Sequence, residues 1–233
     1  MAYEIGALAK VLTNSLSQLD VVSHNLANLA TPGFKVEHLY PGNPSPANQG
    51  DVTGKPFIVV DYSPGLMQKT DNALDAAIQD DGFFVIESKE GVAYTRKGNF
   101  SIKNNELVTQ SGDKVLGAAG PIRIKGNQVT IESNGIVLVD GKEAGKLQLA
   151  GFDKRSDLVR RGDGVFTDPG TAGKKMAATP ALLPRHLELA NVSAIKEMAD
   201  MIDIQRSFES YQKVMQTIQD LDKLSTGRVG RLA

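Results

Sequence analysis

The sequence predicts an α+β protein: an all-β central domain flanked by long N- and C-terminal helices that pair as a coiled-coil-like hairpin. Three observations carry this expectation. Apolar residues recur at helical spacing at both ends of the chain. Short β-rich runs, set off by Gly, Asn and Asp, fill the middle. The composition is rich in turn formers, with 23 Gly and 10 Pro, and only 6% of residues are aromatic.

At the N-terminal end Ile5, Leu12, Leu19 and Leu26 stand seven residues apart. A second row follows at Leu8, Val22 and Leu29, with Ser15 as its one polar member. No Pro or Gly interrupts the pattern after Gly6, so it reads as a heptad seam on one helix from Ile5 to Leu29. Thr31-Pro32-Gly33 stops it, because Pro32 disfavours the α conformation in the residue before it. Gly33 there is either a plain loop break or a corner with positive φ that sets the direction of the following chain. The next stretch, Tyr40 to Lys55, is rich in Pro, Gly, Asn and Ser and reads as a loop or arm.

The β-rich middle contains Phe57–Val60, Phe83–Ile86, Val92–Thr95, Phe100–Ile102 and Val115-Leu116. It continues with Ile122–Ile124, Val129–Ile131, Ile136–Val139, Leu147–Phe152 and Val165-Phe166. Lys103-Asn104-Asn105 and Asp140-Gly141 fall where hairpin turns belong. A Gly-, Ala- and Lys-rich linker, Asp168 to Thr179, leads back toward the final helix. There Met201, Ile204, Phe208, Tyr211, Met215 and Ile218 alternate steps of three and four. Ile195, Met198 and Ile202 form a stripe on a slightly shifted face. The expected helix runs from about Ser193 to Leu224, capped by Asn191 or Ser193, and Gly227 and Gly230 then release the chain. The resulting division is 1–35 helix and turn, 36–56 arm, 57–167 β-domain, 168–190 linker and return segment, and 191–233 helix and tail.

Charge and chemistry narrow the function classes. With 26 basic and 27 acidic side chains the formal net charge is −1, which argues against nucleic-acid binding and a polybasic membrane anchor. The chain has no cysteine, so disulfides, thiolate metal sites and thiol catalysis are excluded. No apolar run is long enough to span a membrane, and the start lacks the pattern of a cleavable signal. His24, His38 and His186 lie in three separate segments without metal-ligand spacing. Gly135 to Gly141-Lys142 misses the phosphate-loop spacing by one residue, and Glu143 replaces its hydroxyl. Asp71, Asp75, Asp80 and Asp81 lack the order of a calcium loop and read as solvated turns. The basic run Lys154, Arg155, Arg160 and Arg161 reads as an exposed turn. The expectation is therefore a non-enzyme without cofactor or metal. Two apolar seams with nothing nearby to cover them call for assembly with other chains.

Four stretches carry a family resemblance. The first is Asn25-Leu26-Ala27-Asn28 with Thr31-Pro32-Gly33-Phe34-Lys35. The second is Leu74–Gln79 followed by Asp81-Gly82-Phe83-Phe84-Val85-Ile86, and the third is Tyr94–Phe100. The fourth joins Asn191-Val192-Ser193 to Glu197-Met198, Met201-Ile202 and Gln205-Arg206-Ser207-Phe208-Glu209. In this order they resemble the axial proteins of the bacterial flagellum, with departures at Asp80, Ala190, Phe208 and Tyr211.

The resemblance implies a structural subunit of the basal-body rod or hook. Its terminal helices would pair and pack against neighbours in an inner tube, with the β-domain outside. The short arm favours the proximal rod over the distal rod or hook. A non-flagellar coiled-coil adaptor is the alternative outside the family. Implied partners are copies of itself, other rod subunits, the flagellar export apparatus and surrounding ring proteins. The implied location is the rod across the periplasm, reached without signal cleavage. The apolar positions of both helices become expected subunit contacts. The Asn25 and Asn28 amides are expected to bridge backbone where helices meet, or simply to lie on the surface.

Overall fold

The computed structural model describes residues 2–40, 56–176 and 181–229. The chain divides into two compact units, one made of Met1–Ala27, Glu37–Val59 and Ser193–Ala233, the other of Asn28–Val36 and Val60–Val192. The architecture is α+β: two long helices and a β-rich middle.

In the first unit, helix α1 spans Ala2–Ala27 and helix α2 spans Ala194–Val229. The two pack against each other, and α1 also contacts the strand Glu37–Tyr40. That strand pairs with Phe57–Val60 in a two-stranded ribbon on which Tyr40 and Phe57 stack at 5.9 Å. The ribbon falls partly within the stretch expected to be an arm; the rest of the arm, residues 41–55, lies outside the described residues. Helix α2 continues through Gly227 to Val229, past its expected end. One Gly costs a helix about 1 kcal/mol, less than the gain from propagating a helix already formed over eight turns.

The second unit is built from antiparallel strands. Its main path runs Val159–Gly162, Val165–Thr167, Gly91–Thr95, Phe83–Ser88, Lys114–Gly117, Glu106–Val108, Ser101–Lys103. Leu149–Phe152 joins this sheet through Phe83–Ser88 and carries Lys174–Met176 on its other side. A separate three-stranded sheet comprises Val129–Ile131, Ile136–Val139 and Lys142–Lys146. Two returning strands, Leu182–Pro184 and His186–Glu188, pair with Ala76–Ile78 and Met67–Lys69. Part of the stretch expected as a linker is therefore strand, and residues 177–180 lie outside the described residues.

Phe83-Phe84-Val85-Ile86 is apolar throughout because both faces of its strand are covered. Phe84 and Ile86 enter one core with Ile78, Phe100, Leu107 and Val115. Phe83 and Val85 enter a second with Tyr94, Phe152 and Phe166. Rings meet edge-on in both: Phe84 on Phe100 at 4.9 Å, and Tyr94 on Phe152 at 4.8 Å. Asn104 and Asn105 (φ 52° and 60°) turn one hairpin, and Asp140 and Gly141 (φ 49° and 77°) turn another. Ile122 and Ile124 are buried as expected of a strand; the strand proper is only Gly120–Pro121, followed by a bridge from Arg123 to Glu106 and by backbone hydrogen bonds of Ile122 and Ile124 with Val115, Leu107 and Asn105.

Gly98 lies against the Ala76 strand, where its N-terminal neighbours contribute the buried Tyr94 and Thr95. A Cβ at Gly98 would sit 1.7 Å from the Ala76 carbonyl oxygen, which itself accepts no alternative position without moving the strand Ala76–Ile78. The Ala76 N–H in turn donates to the Gly98 carbonyl at 3.0 Å. Gly98→Ala is expected to destabilise the second unit by about 1–3 kcal/mol through this overpacking, read as a lower urea midpoint with the far-UV signal of α1 and α2 retained.

Candidate functional site

The apolar positions of the two helices fall into two groups. On α1, Val22 is buried and Leu8, Leu12, Leu19 and Leu26 are half-buried. Leu29, half-buried, follows the helix end, and the side chain of Ile5 lies outside the described residues. The polar seam member Ser15 is buried and donates to the Val11 carbonyl at 3.1 Å, satisfying its hydroxyl within the helix. On α2, Met201, Ile204, Phe208, Met215 and Ile218 are half-buried. Ser15, Leu19, Ile204 and Phe208 line a cavity of about 130 Å³ in this unit. The shifted stripe is open instead: Ile195 is 81%, Met198 47% and Ile202 49% exposed, and Tyr211 is exposed with them. Gln205 and Arg206 are also exposed.

Asn25 is the polar centre of this unit. Its side-chain oxygen accepts the Glu37 N–H at 3.0 Å, and its NH2 donates to the Glu37 carbonyl at 2.9 Å. The same NH2 reaches Glu197 Oε2 at 3.1 Å, so one buried amide joins α1, the strand Glu37–Tyr40 and the first turn of α2. Glu197 also favours the positive end of the α2 dipole. His24 Nδ1 lies 3.4 Å from Glu37 Oε2, giving that histidine a contact beside a carboxylate. Asn28 has a local role, its oxygen accepting the Thr31 hydroxyl at 3.2 Å.

In the second unit the chain turns at Gly33, whose φ is 66°. A Cβ there would stand 2.5 Å from the Arg96 carbonyl carbon, so both conformation and space favour glycine. The Gly33 N–H donates to the Glu188 carbonyl at 2.7 Å. Two residues on, buried Lys35 donates to Glu188 Oε1 at 2.5 Å and to the Ser63 carbonyl at 2.6 Å. Arg96, also buried, reaches Glu188 Oε2 at 3.4 Å and lies over the Phe83 ring at 5.3 Å. Gly65 N–H gives Glu188 Oε1 a further donor at 3.0 Å. Burial pushes the Lys35 ammonium below its ordinary pKa, while Glu188 pulls it back up. The Arg96 guanidinium is likewise lowered, first by burial and against the pull of Glu188 and Asp81.

Asn191, expected as a helix cap, belongs to this corner instead. Its oxygen accepts the Val36 N–H at 2.8 Å, and its NH2 donates to the Asp61 and Ser63 carbonyls. The residue directly before α2 is Ser193, whose carbonyl takes the Glu197 N–H at 2.9 Å. Among the motif residues, Phe34, Gly82, Phe83 and Phe84 are buried, Thr31 and Pro32 are half-buried, and Ala27 and Asp81 are exposed.

The basic run has internal partners: Arg155 donates to Asp81 at 2.5 Å, Arg160 lies over the Phe34 ring, and Arg161 pairs with Glu90. Asp75 is a buried acceptor for Thr70 and Asn72, both at 2.8 Å, rather than a solvated turn residue. The sequence offered no partner for Glu188, because its cations lie far away along the chain at Lys35 and Arg96. Among the described residues no group of three or more His, Asp or Glu is placed to hold a metal, and no helix is long and apolar enough to cross a membrane.

A pair of terminal helices with an open apolar stripe, joined to a β-rich body whose polar residues serve packing, defines a structural assembly subunit. Family comparisons place it within a known class. Residues 11–35 match the flagella basal body rod protein family, 77–139 the flagellar hook protein FlgE/F/G D1 domain, and 184–226 the flagellar basal body rod FlgEFG protein C-terminal family. The chain is 31% identical to the flagellar basal-body rod protein FlgF of Caulobacter vibrioides, covering 92% of this chain and 93% of that one. It is 31% identical to FlgF of Escherichia coli, covering 94% of each, and 31% identical to FlgG of Borreliella burgdorferi, covering 91% and 93%. The chain belongs to the flagellar basal-body rod protein family of the FlgF/FlgG type.

Glu188→Gln leaves buried Lys35 without its paired carboxylate and Arg96 with Asp81 alone, 4.0 Å away, and is expected to destabilise the second unit by about 3–5 kcal/mol, measured by urea unfolding. Acid acts on two other carboxylates. The Arg155 hydrogen bond holds Asp81 below the ordinary carboxylate range. At Asp163 burial pushes upward, but the bonds from Lys97 and Ser111 and the Lys97 charge outweigh it. Their folded pKa values are depressed, so their stabilisation is complete above about pH 4 and is lost as pH falls through the folded values. An Asp81→Asn/Asp163→Asn variant is expected to lose less of its stability than the parent between pH 4 and pH 2, checked by urea midpoints across that range.

Proposed function

We propose that this chain is a structural subunit of the proximal rod of the flagellar basal body, built in through α1 and α2 and carrying motor torque toward the hook. The open stripe of Ile195, Met198 and Ile202 is the observation that carries this reading. Three large apolar side chains along one helix face are the kind of surface a neighbouring subunit covers. Such a contact, made between different patches of adjacent copies, generates an open helical array rather than a closed oligomer.

Residues 1–35 and 191–233 act as the axial elements, paired as a coiled-coil-like hairpin along the heptad seam. Residues 57–167 form an outer β-domain, reached through the arm 36–56 and left through 168–190. The remaining apolar positions on α1 and α2, Ile5 included, contact either the partner helix or the next subunit. The short arm supports the proximal over the distal position; FlgF and FlgG relatives are equally similar in identity. The partners are this chain and other rod subunits, with the flagellar export apparatus during delivery and the surrounding ring proteins in place. The rod crosses the periplasm, and the chain reaches it by export without signal cleavage.

Leu19→Ala and Phe208→Ala are expected to keep the second unit folded while preventing rod completion, because each truncation at a packed position costs about 2–5 kcal/mol. Electron microscopy of basal bodies from a strain lacking the chain tests the assignment. The expected particles end at the inner-membrane ring and regain their rod when the intact gene returns. Complete rods in the deletion strain contradict it.

A further inference from the structure

One polar groove of the second unit is lined by cations that no carboxylate of the fold takes up. Ile122 and Ile124 are buried, so along this extended segment Arg123 and Lys125 project together to the solvent side. Backbone bonds fix the segment beside the strand Glu106–Val108. The Leu107 N–H donates to the Ile122 carbonyl at 3.0 Å, and the Ile124 N–H donates to the Asn105 carbonyl at 2.8 Å. Arg123, Lys125, Glu106 and the turn residues Asn104 and Asn105 line an open groove of about 310 Å³.

The charges of this groove do not cancel. Its carboxylate, Glu106, is taken by Lys114 at 3.0 Å. Lys103 stands directly opposite Glu106 across the hairpin, and Arg123 stands opposite it on the other side. Neither closes an ion pair with it or with another carboxylate among the described residues, and Lys125 has none either. The Asn104 and Asn105 amides make no side-chain hydrogen bond among the described residues. Elsewhere in this unit Arg96, Arg155 and Arg161 are spent on Glu188, Asp81 and Glu90.

A guanidinium fork, an ammonium and two neutral amides are donors suited to carboxylates. Arg123 and Lys125 stand about 7 Å apart along the chain at ~3.3 Å per residue, the spacing of alternate side chains on one face of any extended peptide. We infer that this groove receives an extended acidic segment of a neighbouring protein, whose carboxylates on alternate residues meet Arg123 and Lys125 with the Asn104 and Asn105 amides as further donors. The inference rests on the rod assignment only in that the rod supplies neighbouring proteins.

Titration of the isotope-labelled full-length chain with the peptide acetyl-Glu-Ser-Glu-Ser-Glu-amide, followed by amide NMR shifts, tests the contact. Saturable shifts are expected at residues 104–106 and 123–125, weakening as salt rises from about 50 to about 300 mM because exposed charges are screened. Arg123→Gln/Lys125→Gln is expected to weaken the peptide about tenfold. Lys89→Gln/Lys142→Gln, which removes two exposed charges elsewhere in the unit, leaves binding unchanged. Inorganic phosphate at matched concentration is expected to shift the same amides less. Phosphate binding as tight as the peptide makes the groove a site for free anions and overturns the inference. Absence of shifts at the groove overturns it too, as does equal weakening by the two double variants. The titration needs no assembled rod, so its result and that of the deletion strain are read independently.

Discussion

The buried charge cluster of Lys35, Arg96 and Glu188 is the constraint on which the order of the second unit depends. A carboxylate removed from water must be met by cations and N–H donors in fixed places. Glu188 is met by Lys35 just past the Gly33 corner, by Arg96 after the strand Gly91–Thr95, and by the Gly65 N–H. Three distant segments are thereby held to one another, and the return strands Leu182–Pro184 and His186–Glu188 are pinned to their partners in one register. Gly33 lets backbone approach the Arg96 backbone beside the cluster, so the corner is compact as well as ion-paired.

Asn25 applies the same logic in the first unit. One amide satisfies both backbone groups of Glu37 and one oxygen of Glu197, setting where the strand Glu37–Tyr40 and the start of α2 lie against α1. On the same first turns of α2 Ile195, Met198 and Ile202 remain open, and farther along the helices bury their facing residues incompletely. A unit with polar order at one end and unsatisfied apolar surface along its length is suited to finishing its packing in an assembly. The β-rich unit has two apolar cores of its own, one mainly aliphatic and one aromatic-rich, and does not depend on that step for its packing.

The sequence makes the helices and the long strands legible because their signal is local. Heptad spacing identifies α1, three–four spacing identifies α2, and the four-residue run Phe83–Ile86 identifies a strand covered on both faces. Asn104-Asn105 and Asp140-Gly141 announce their hairpins through residues that tolerate positive φ. Short strands such as Lys142–Lys146, Lys174–Met176 and His186–Glu188 are polar and draw their order from pairing partners elsewhere, so no periodicity marks them. The same distance hides the ion cluster. Lys35 and Arg96 each sit in a recognisable motif, but nothing near either residue points to Glu188. Asn191 shows the opposite error: its position before a helix suggests a cap, whereas its amide is used by Val36, Asp61 and Ser63.

The central claim is that this chain stands in the rod with its helices as the axial elements. A cryo-electron microscopy map of purified basal bodies tests it most directly. The account predicts density for α1 and α2 running along the inner wall of the proximal rod. A rod built entirely from other chains, or this chain present with its helices away from the axis, would contradict it.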